Sequence, residues 1–455
     1  MKKAIVIFGA TGNLTYKKLL PAIDALIQKQ HINEEDRVFL VARKKHELKD
    51  YIEIAKNQVK QYIDWEKMSR YLEYVCSDLG ELKDYLKLKI RLEKNGFEDN
   101  TFYLALPPEL FPQVAKGISE SGLVLKTEYN KRVCFEKPFG ENLESAKRIN
   151  RELWKYFDES QIYRIDHYLG KEMIQNILVV RFANKIFEQT WNHSTIRNIV
   201  IVAKETEGVM SRGDYYDKIG ALKDMLQSHL LQMAALTGMT KPETFNSQDI
   251  KNEKIKVFDN LEIEKDSVLF GQYEGYLEAE KIAKNSKTDT FVFAKAFIKN
   301  SKWDNIPIYF ITGKQLNEKR SEIIINFKDD NTLTKIFDHA KKNNTKLIIK
   351  VAPEAGVMFQ LNVKQPGLSN EIMSGKFDYC HTCNWVGNTS EAYEKLLLDL
   401  ITNNKTLYTR WDEIEAMWKV IDNIKDENSK LYTYRDYNHL REIILQERGV
   451  DIDDL

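Results

Sequence analysis

The chain has no surplus of either charge: 68 Lys and Arg stand against 68 Asp and Glu among 455 residues. A nucleic-acid binder carries a basic excess to displace counterions from phosphates, and a membrane-surface protein carries a basic amphipathic face. The balance therefore excludes a polyanion or a bilayer as the expected partner. Cysteine is scarce too. Cys76, Cys134, Cys380 and Cys383 are too few for a disulfide scaffold in a chain of this length, which fits a reducing compartment. No stretch approaches the roughly 20 apolar residues a membrane-spanning helix requires. The apolar run after Met1-Lys2-Lys3 stops at Gly9 with no small-residue cleavage site behind it, so no secretory signal is read and a cytoplasmic location is expected. Internal repeats and low-complexity tracts are also missing, and the Lys-rich stretches read as solvated faces.

What is present is a composition with 43% hydrophobic residues, enough for sizeable cores, in a length that suggests about two to four domains. Ala4 to Phe8 is a continuous apolar run broken by Gly9 to Gly12, and Leu14 to Gln28 has helical spacing. Further strand-like runs are Arg37 to Ala42, Tyr71 to Cys76, Thr101 to Leu106 and Arg132 to Phe135, separated by helical stretches. Strands alternating with helices predict parallel βαβ units and a buried sheet. The expected fold is therefore α/β and Rossmann-like over residues 1–165, followed by an α+β domain over residues 166–455 with a large, mainly antiparallel sheet. Runs supporting that sheet are Asn198 to Ala203, Phe291 to Ile298, Ile306 to Ile311, Glu322 to Phe327, Thr345 to Val351 and Met358 to Val363. A helical segment begins near Lys171, and others cover Ser390 to Leu400 and Trp411 to Ile424.

Four places carry polar chemistry. Gly9-Ala10-Thr11-Gly12-Asn13-Leu14 lies between the first strand and helix, where a dinucleotide pyrophosphate meets free N–H groups at a helix N-terminus; an ordinary glycine turn is the alternative. Arg43-Lys44-Lys45 ends the second strand, where an acid would favour the non-phosphorylated cofactor. A basic cluster there favours a 2′-phosphate, unless it is only a solvated charge run. Arg164-Ile-Asp-His-Tyr-Leu-Gly-Lys171 is the densest polar cluster, suited to gripping a phosphate monoester and orienting a base, or to a polar helix start. On a regular helix Leu222, Met225, Leu226, His229 and Met233 share one stripe, which makes His229 either a core histidine or, with a carboxylate partner, a general base. Cys380-His-Thr-Cys383 lacks a second ligand pair and reads as a loop with two ordinary thiols rather than a metal site.

The motif at 164–171 resembles the signature of glucose-6-phosphate dehydrogenases. Other pieces follow in family order: Gly-Ala-Thr-Gly-Asn-Leu, Leu-Ala-Leu-Pro-Pro at 104–108, Glu-Lys-Pro-Phe-Gly at 136–140, the Tyr-Tyr-Asp to His-Leu-Leu-Gln segment, Gly-Lys-Gln-Leu-Asn-Glu-Lys at 313–319, Pro-Glu-Ala-Gly-Val at 353–357, Glu-Ala-Tyr-Glu-Lys-Leu-Leu-Leu-Asp at 391–399 and Arg-Trp-Asp-Glu at 410–413. The resemblance spans residues 4–425 and implies oxidation of glucose 6-phosphate at C1 to the lactone, with hydride passing to NADP, as the first step of the oxidative pentose phosphate pathway. NAD is implied only as a weaker or alternative cofactor.

By the same resemblance His229 is the base, Asp166 fixes its tautomer and Lys137 stands between sugar and nicotinamide. His167, Tyr168 and Lys171 hold the 6-phosphate; the local concentration of cations, read from the residues themselves, adds Arg164 to that pocket. Glu205 and Asp224 accept from sugar hydroxyls, and Lys314 and Lys319 close the site. Gly9, Ala10, Thr11, Gly12, Asn13, Leu14, Arg43, Pro107 and Lys137 contact the cofactor. No metal is implied, and a homodimer or homotetramer is. Three positions depart from the family pattern: Asn13 for Asp, Ser228 for Asn and Lys319 for Arg, the last weakening bidentate recognition without removing charge. Two rivals are a related dehydrogenase acting on another sugar and a silent relative that only binds sugar phosphate or nucleotide.

Overall fold

The computed structural model describes residues 1–328, 345–368, 370–381, 392–422, 424–426 and 428–455. The chain forms two compact units, which draw on interleaved segments: Met1–Gly170, Thr244–Lys251 and Ser390–Glu415 make the first, and Lys171–Glu243, Asn252–Thr389 and Ala416–Leu455 the second. A single cut near residue 165 thus captures most of the first unit but leaves out two later returns of the chain to it.

The first unit is built on β1 (Lys2–Phe8), β2 (Arg37–Ala42), β3 (Leu72–Cys76), β4 (Phe97–Leu104), β5 (Lys131–Phe135) and β6 (Ile162–Ile165), all parallel, in the order β6-β5-β4-β1-β2-β3. This is the doubly wound order with its switch point between β1 and β4. The apolar runs that marked these strands are buried on both faces. Val6, Ile7 and Phe8 are fully excluded from solvent, and Val6 and Phe8 share a core with Phe102, Leu104, Val133 and Phe135. Helices Leu82–Lys94, Phe111–Glu120 and Leu143–Tyr156 contribute Leu88, Phe111, Val114 and Leu153 to this core. The chain then returns from far downstream, when Tyr408–Thr409 pairs antiparallel with β6 and covers that edge of the sheet.

The second unit is organised by a mixed sheet. Its strands are β7 (Ile196–Lys204), β8 (Leu261–Ile263), β9 (Leu269–Tyr273), β10 (Phe291–Ile298), β11 (Pro307–Gly313), β12 (Arg320–Phe327), β13 (Lys346–Ala352), β14 (Gly356–Lys364), β15 (Ile372–Cys380) and β17 (Leu431–Tyr434), the pair Tyr408–Thr409 being β16. The order is β15-β14-β13-β12-β7-β11-β10-β9-β17, with β8 also against β10. Most pairings are antiparallel, but β7 with β11 and β9 with β17 are parallel. Central strands bury nearly every residue, whereas the outer strand β15 leaves Phe377 62% exposed.

Two helical expectations need correction. Leu14 to Gln28 is not one regular helix: Thr15–Leu19 forms a π turn, with the Leu20 N–H bonded to the Thr15 carbonyl, before the α-helix Leu20–Gln28. The segment carrying His229 is likewise π-helical over Leu222–Leu230, followed by the α-helix Leu231–Gly238. An i→i+5 ladder removes the three- and four-residue stripe inferred from periodicity. In its place Leu226 to Gly238 are buried without interruption, and Met225 is only half-buried.

Candidate functional site

In the first unit the relevant residues follow the C-terminal ends of parallel strands, where ligands of open α/β sheets bind. Gly9 leaves β1 at φ +91°, and a Cβ there would lie 2.2 Å from the Ala105 carbonyl oxygen on the neighbouring strand end. Only glycine permits so close a passage. Thr15 Oγ1 donates to the Gly9 carbonyl at 2.9 Å, the Gly12 N–H donates to the same oxygen at 3.0 Å, and Tyr51 Oη donates to the Ala10 carbonyl at 2.7 Å. Thr11 and Asn13 are exposed on the outer side of the turn, with Gly12 and Leu14 half-buried. A backbone pinned from below, with glycine at positions 9 and 12, fits the approach of a dinucleotide pyrophosphate.

One strand over, Arg43, Lys44 and Lys45 are exposed directly after β2. Their backbone is fixed from β3, since Cys76 Sγ lies 3.3 Å from the Arg43 carbonyl and Tyr74 Oη donates to the Lys44 carbonyl at 2.6 Å. The glycine turn and the basic cluster therefore lie at adjacent strand ends, as an NADP site requires. Pro107 leads into a short 3-10 turn, Pro108–Leu110, after β4.

Lys137 follows β5 with a cis peptide bond to Pro138. Its neighbour Glu136 is half-buried, and its Oε1 accepts from Tyr103 Oη at 2.5 Å and Tyr393 Oη at 3.2 Å. Burial pushes the Glu136 carboxyl up, while the two phenols and Lys137 oppose that shift. From the end of β6, Asp166 is 3% exposed, and its Oδ1 accepts from the Tyr168 N–H at 3.0 Å. His167 lies between Tyr168, 5.2 Å away, and Tyr393, whose ring is nearly parallel at 6.5 Å. Glu136 and Tyr393 were visible in the sequence only as motif letters, with no signal that they support one another and His167.

Arg164 departs from expectation. Although it opens the densest motif, it sits on β6 at 1% exposure. Nη1 donates to Glu159 Oε1 at 2.6 Å, and Nη2 donates to Asn150 Oδ1 at 2.5 Å and Glu159 Oε2 at 3.0 Å. Burial would raise the Glu159 carboxyl, but Arg164 and its hydrogen bonds hold it below its ordinary value. Because β6 is buried on both faces, this guanidinium is enclosed within the unit, so its charge is consumed internally and is unavailable to a substrate phosphate.

In the second unit Lys171 immediately precedes the helix Glu172–Ala183 and is half-buried. Glu205 and Lys314 follow the ends of the parallel pair β7 and β11 and form an ion pair, with Lys314 Nζ 5.0 Å over the Tyr216 ring. Tyr434 Oη donates to the Lys314 carbonyl at 2.6 Å. Burial, with Asp224 and Asp289 next in effect, pushes the Tyr216 phenol far up, so it stays a neutral donor. Lys319 is not drawn in: it is 57% exposed, and its ion-pair partner Glu207 is 4.0 Å away and similarly open.

Asp224, Ser228 and His229 share the π-helix. Its start is fixed by Gly220 at φ +69° and by Asp289, which accepts from the Ala221 N–H at 2.9 Å through its carbonyl and from the Leu222 N–H at 2.7 Å through Oδ2. Ser228 Oγ donates to the Asp224 carbonyl at 3.2 Å, and His229 is 1% exposed. Asp289 was missed in the sequence because it lies in a polar loop with no motif around it. Cys380 is disulfide-bonded rather than an ordinary thiol, whereas Cys76 and Cys134 are free; Cys383 and Glu391 lie outside the described residues.

Comparison with known proteins bears on both units. The family model for the glucose-6-phosphate dehydrogenase NAD binding domain matches residues 6–176, and that for the C-terminal domain matches residues 178–441. The glucose-6-phosphate 1-dehydrogenase of Bacillus subtilis (strain 168) is 38% identical over 449 residues, covering 93% of this chain and 91% of the relative. The cytoplasmic glucose-6-phosphate 1-dehydrogenase 6 of Arabidopsis thaliana is 36% identical, covering 92% and 84%. A solved glucose-6-phosphate dehydrogenase in complex with glucose 6-phosphate superposes with a TM-score of 0.89 at 32% identity, over 98% of this chain and 97% of the other. With matched models across both halves and relatives at this identity along nearly the whole length, the chain belongs to the glucose-6-phosphate dehydrogenase family.

Proposed function

We propose that this protein oxidises glucose 6-phosphate at C1 to 6-phosphoglucono-lactone, transferring hydride to NADP, and that NAD serves less well. The observation that carries this reading is the retention of Lys137, Asp166, His167, Lys171 and His229 within a chain similar to the Bacillus subtilis enzyme over 93% of its length. His229 Nε2 or Nδ1 takes the proton of the C1 hydroxyl, and Asp166 fixes the tautomer and stabilises the imidazolium. His167, Tyr168 and Lys171 bind the 6-phosphate through charge-assisted hydrogen bonds. Glu205 and Asp224 accept from sugar hydroxyls, and Lys314, ion-paired with Glu205, and Lys319 close the site around the bound sugar.

The glycine turn from Gly9 to Leu14, with Arg43, Pro107 and Lys137, would hold NADP, and the bound nicotinamide supplies the hydride acceptor. Arg43 offers a bidentate partner for a 2′-phosphate. A homo-oligomer is supported by the exposed apolar side chains Met373, Phe377 and Tyr379 on β15. The domain reading follows the same lines, with residues 1–165 for the cofactor and 166–455 for the substrate and the oligomer contact.

Incubation with glucose 6-phosphate and NADP, and separately NAD, followed by reduced-cofactor absorbance, tests the reading. Turnover with NADP is expected to exceed that with NAD. Binding of the sugar phosphate without turnover on either cofactor would defeat it.

A further inference from the structure

Within the first unit lies a cavity of about 510 Å³ that the proposed reaction does not use. Its walls are the approach to β6 at Glu159 to Ile162, the first turn of the helix Ser247–Asn260, and the segment Asn403 to Arg410 that contains β16. Three cations line it, Lys251, Lys405 and Arg410, against one acid, Glu159, whose carboxylate is already held by Arg164. The other lining groups are mostly hydroxyls and carboxamides, such as Ser160, Ser247 and Asn404.

Lys251 is only 4% exposed. Lys405 Nζ donates to the backbone carbonyls of Glu159 at 2.6 Å and Ile162 at 3.0 Å and stands 4.6 Å over the Tyr163 ring. Two of its three protons are thus placed on neutral carbonyls rather than on a carboxylate. Arg410 grips Asp412 through Nε at 2.7 Å and Nη2 at 2.6 Å. Gathering cations out of water costs free energy that a well-placed anion offsets.

We propose that this cavity binds a small dianionic oxyanion, inorganic phosphate or the phosphate of a compact monoester, between Lys251, Lys405 and Arg410. The oxyanion's several acceptor lone pairs match a lining rich in donors, and the volume leaves room for a few carbon atoms beside the phosphate.

Binding is linked to the state of Lys405. Burial pushes its amine down to about 7; Glu159 opposes that shift, and Lys251 and Arg164 add to it. Arg410 faces two further acids, Asp412, which it grips, and the buried Glu413, which accepts from its backbone N–H. An anion favours the ammonium, so affinity is full below about pH 7 and falls as the pH rises through that value, by about tenfold between pH 6 and pH 8.

Sulfate is the clean probe because its charge is constant over this range. In calorimetric titrations of the full chain, sulfate binding is expected to persist in the double variant Arg43→Ala/Lys171→Ala and to weaken at least tenfold in Lys251→Gln/Lys405→Gln. Parallel titrations with phosphate and with glycerol phosphate decide whether the free ion or a monoester binds more tightly. A crystal soaked in selenate locates the ion by anomalous scattering with no substitution at all. Binding lost in Arg43→Ala/Lys171→Ala and kept in Lys251→Gln/Lys405→Gln, or no selenate in the cavity, overturns the proposal.

Discussion

The two sheets hold their polar residues by different means. In the parallel sheet Gly9, Arg43, Pro107, Lys137 and Asp166 all follow strand ends, so the backbone ladder sets their positions. In the mixed sheet Glu205 and Lys314 do so, at the internal parallel pair β7 and β11, while Asp224, Ser228 and His229 depend on a π-helical turn anchored by Asp289. Strand ends fix where a side chain starts; a π turn also resets which side chains share a face. The first device is robust to local sequence, and the second depends on one buried acid and one glycine.

The strongest test of that contrast is at His229. His229→Asn is expected to lower kcat by about 10³-fold or more with the Michaelis constant nearly intact, as removal of a general base does; unchanged turnover in steady-state assays would remove the base role from the π-helix. Arg164→Met comes next. It leaves the half-buried Glu159 with Trp154 Nε1 and the Trp411 N–H as its donors, so the unfolding free energy in urea is expected to drop by about 1–3 kcal/mol, while the Michaelis constant for glucose 6-phosphate stays within about twofold. A large rise in that constant with unchanged stability would return Arg164 to the phosphate.

Lys171→Ala is expected to raise the Michaelis constant for glucose 6-phosphate by about 10- to 100-fold, the worth of a hydrogen bond to a charged group, with a far smaller effect on free glucose. Equal effects on both sugars would detach it from the phosphate. The smallest change is expected from Arg43→Ala, a roughly tenfold fall in the preference for NADP over NAD, about 1.4 kcal/mol; an unchanged ratio of specificity constants would mean the exposed cluster after β2 is only a solvated run.

The same contrast explains what could be read from the sequence. Continuous apolar strands buried on both faces announce themselves, and Arg37–Ala42 and Phe291–Ile298 fall where the runs placed them. Leu269–Tyr273 is short and interrupted by Gly271, and Ile372–Cys380 is exposed along most of its length, so neither shows a clear hydrophobic period. Motif letters located the polar residues but not their direction. Arg164 looks like its neighbours Asp166 and His167 on paper, yet it lies within a strand buried on both faces, where Asn150 and Glu159 take its guanidinium. His229 was placed on a regular stripe because no periodicity argument anticipates an i→i+5 ladder. The return of Ser390–Glu415 to the first unit is a tertiary fact with no local signal at all.

That return has a consequence for how the protein is made. The strand β6 remains an open edge until Tyr408 and Thr409 arrive, about 240 residues later. At the usual pace of translation the gap lasts roughly 10 to 50 s. Throughout that time a nascent chain presents an unpaired parallel edge beside the segment that ends in Asp166, a natural point for a chaperone to hold and for a truncated product to aggregate.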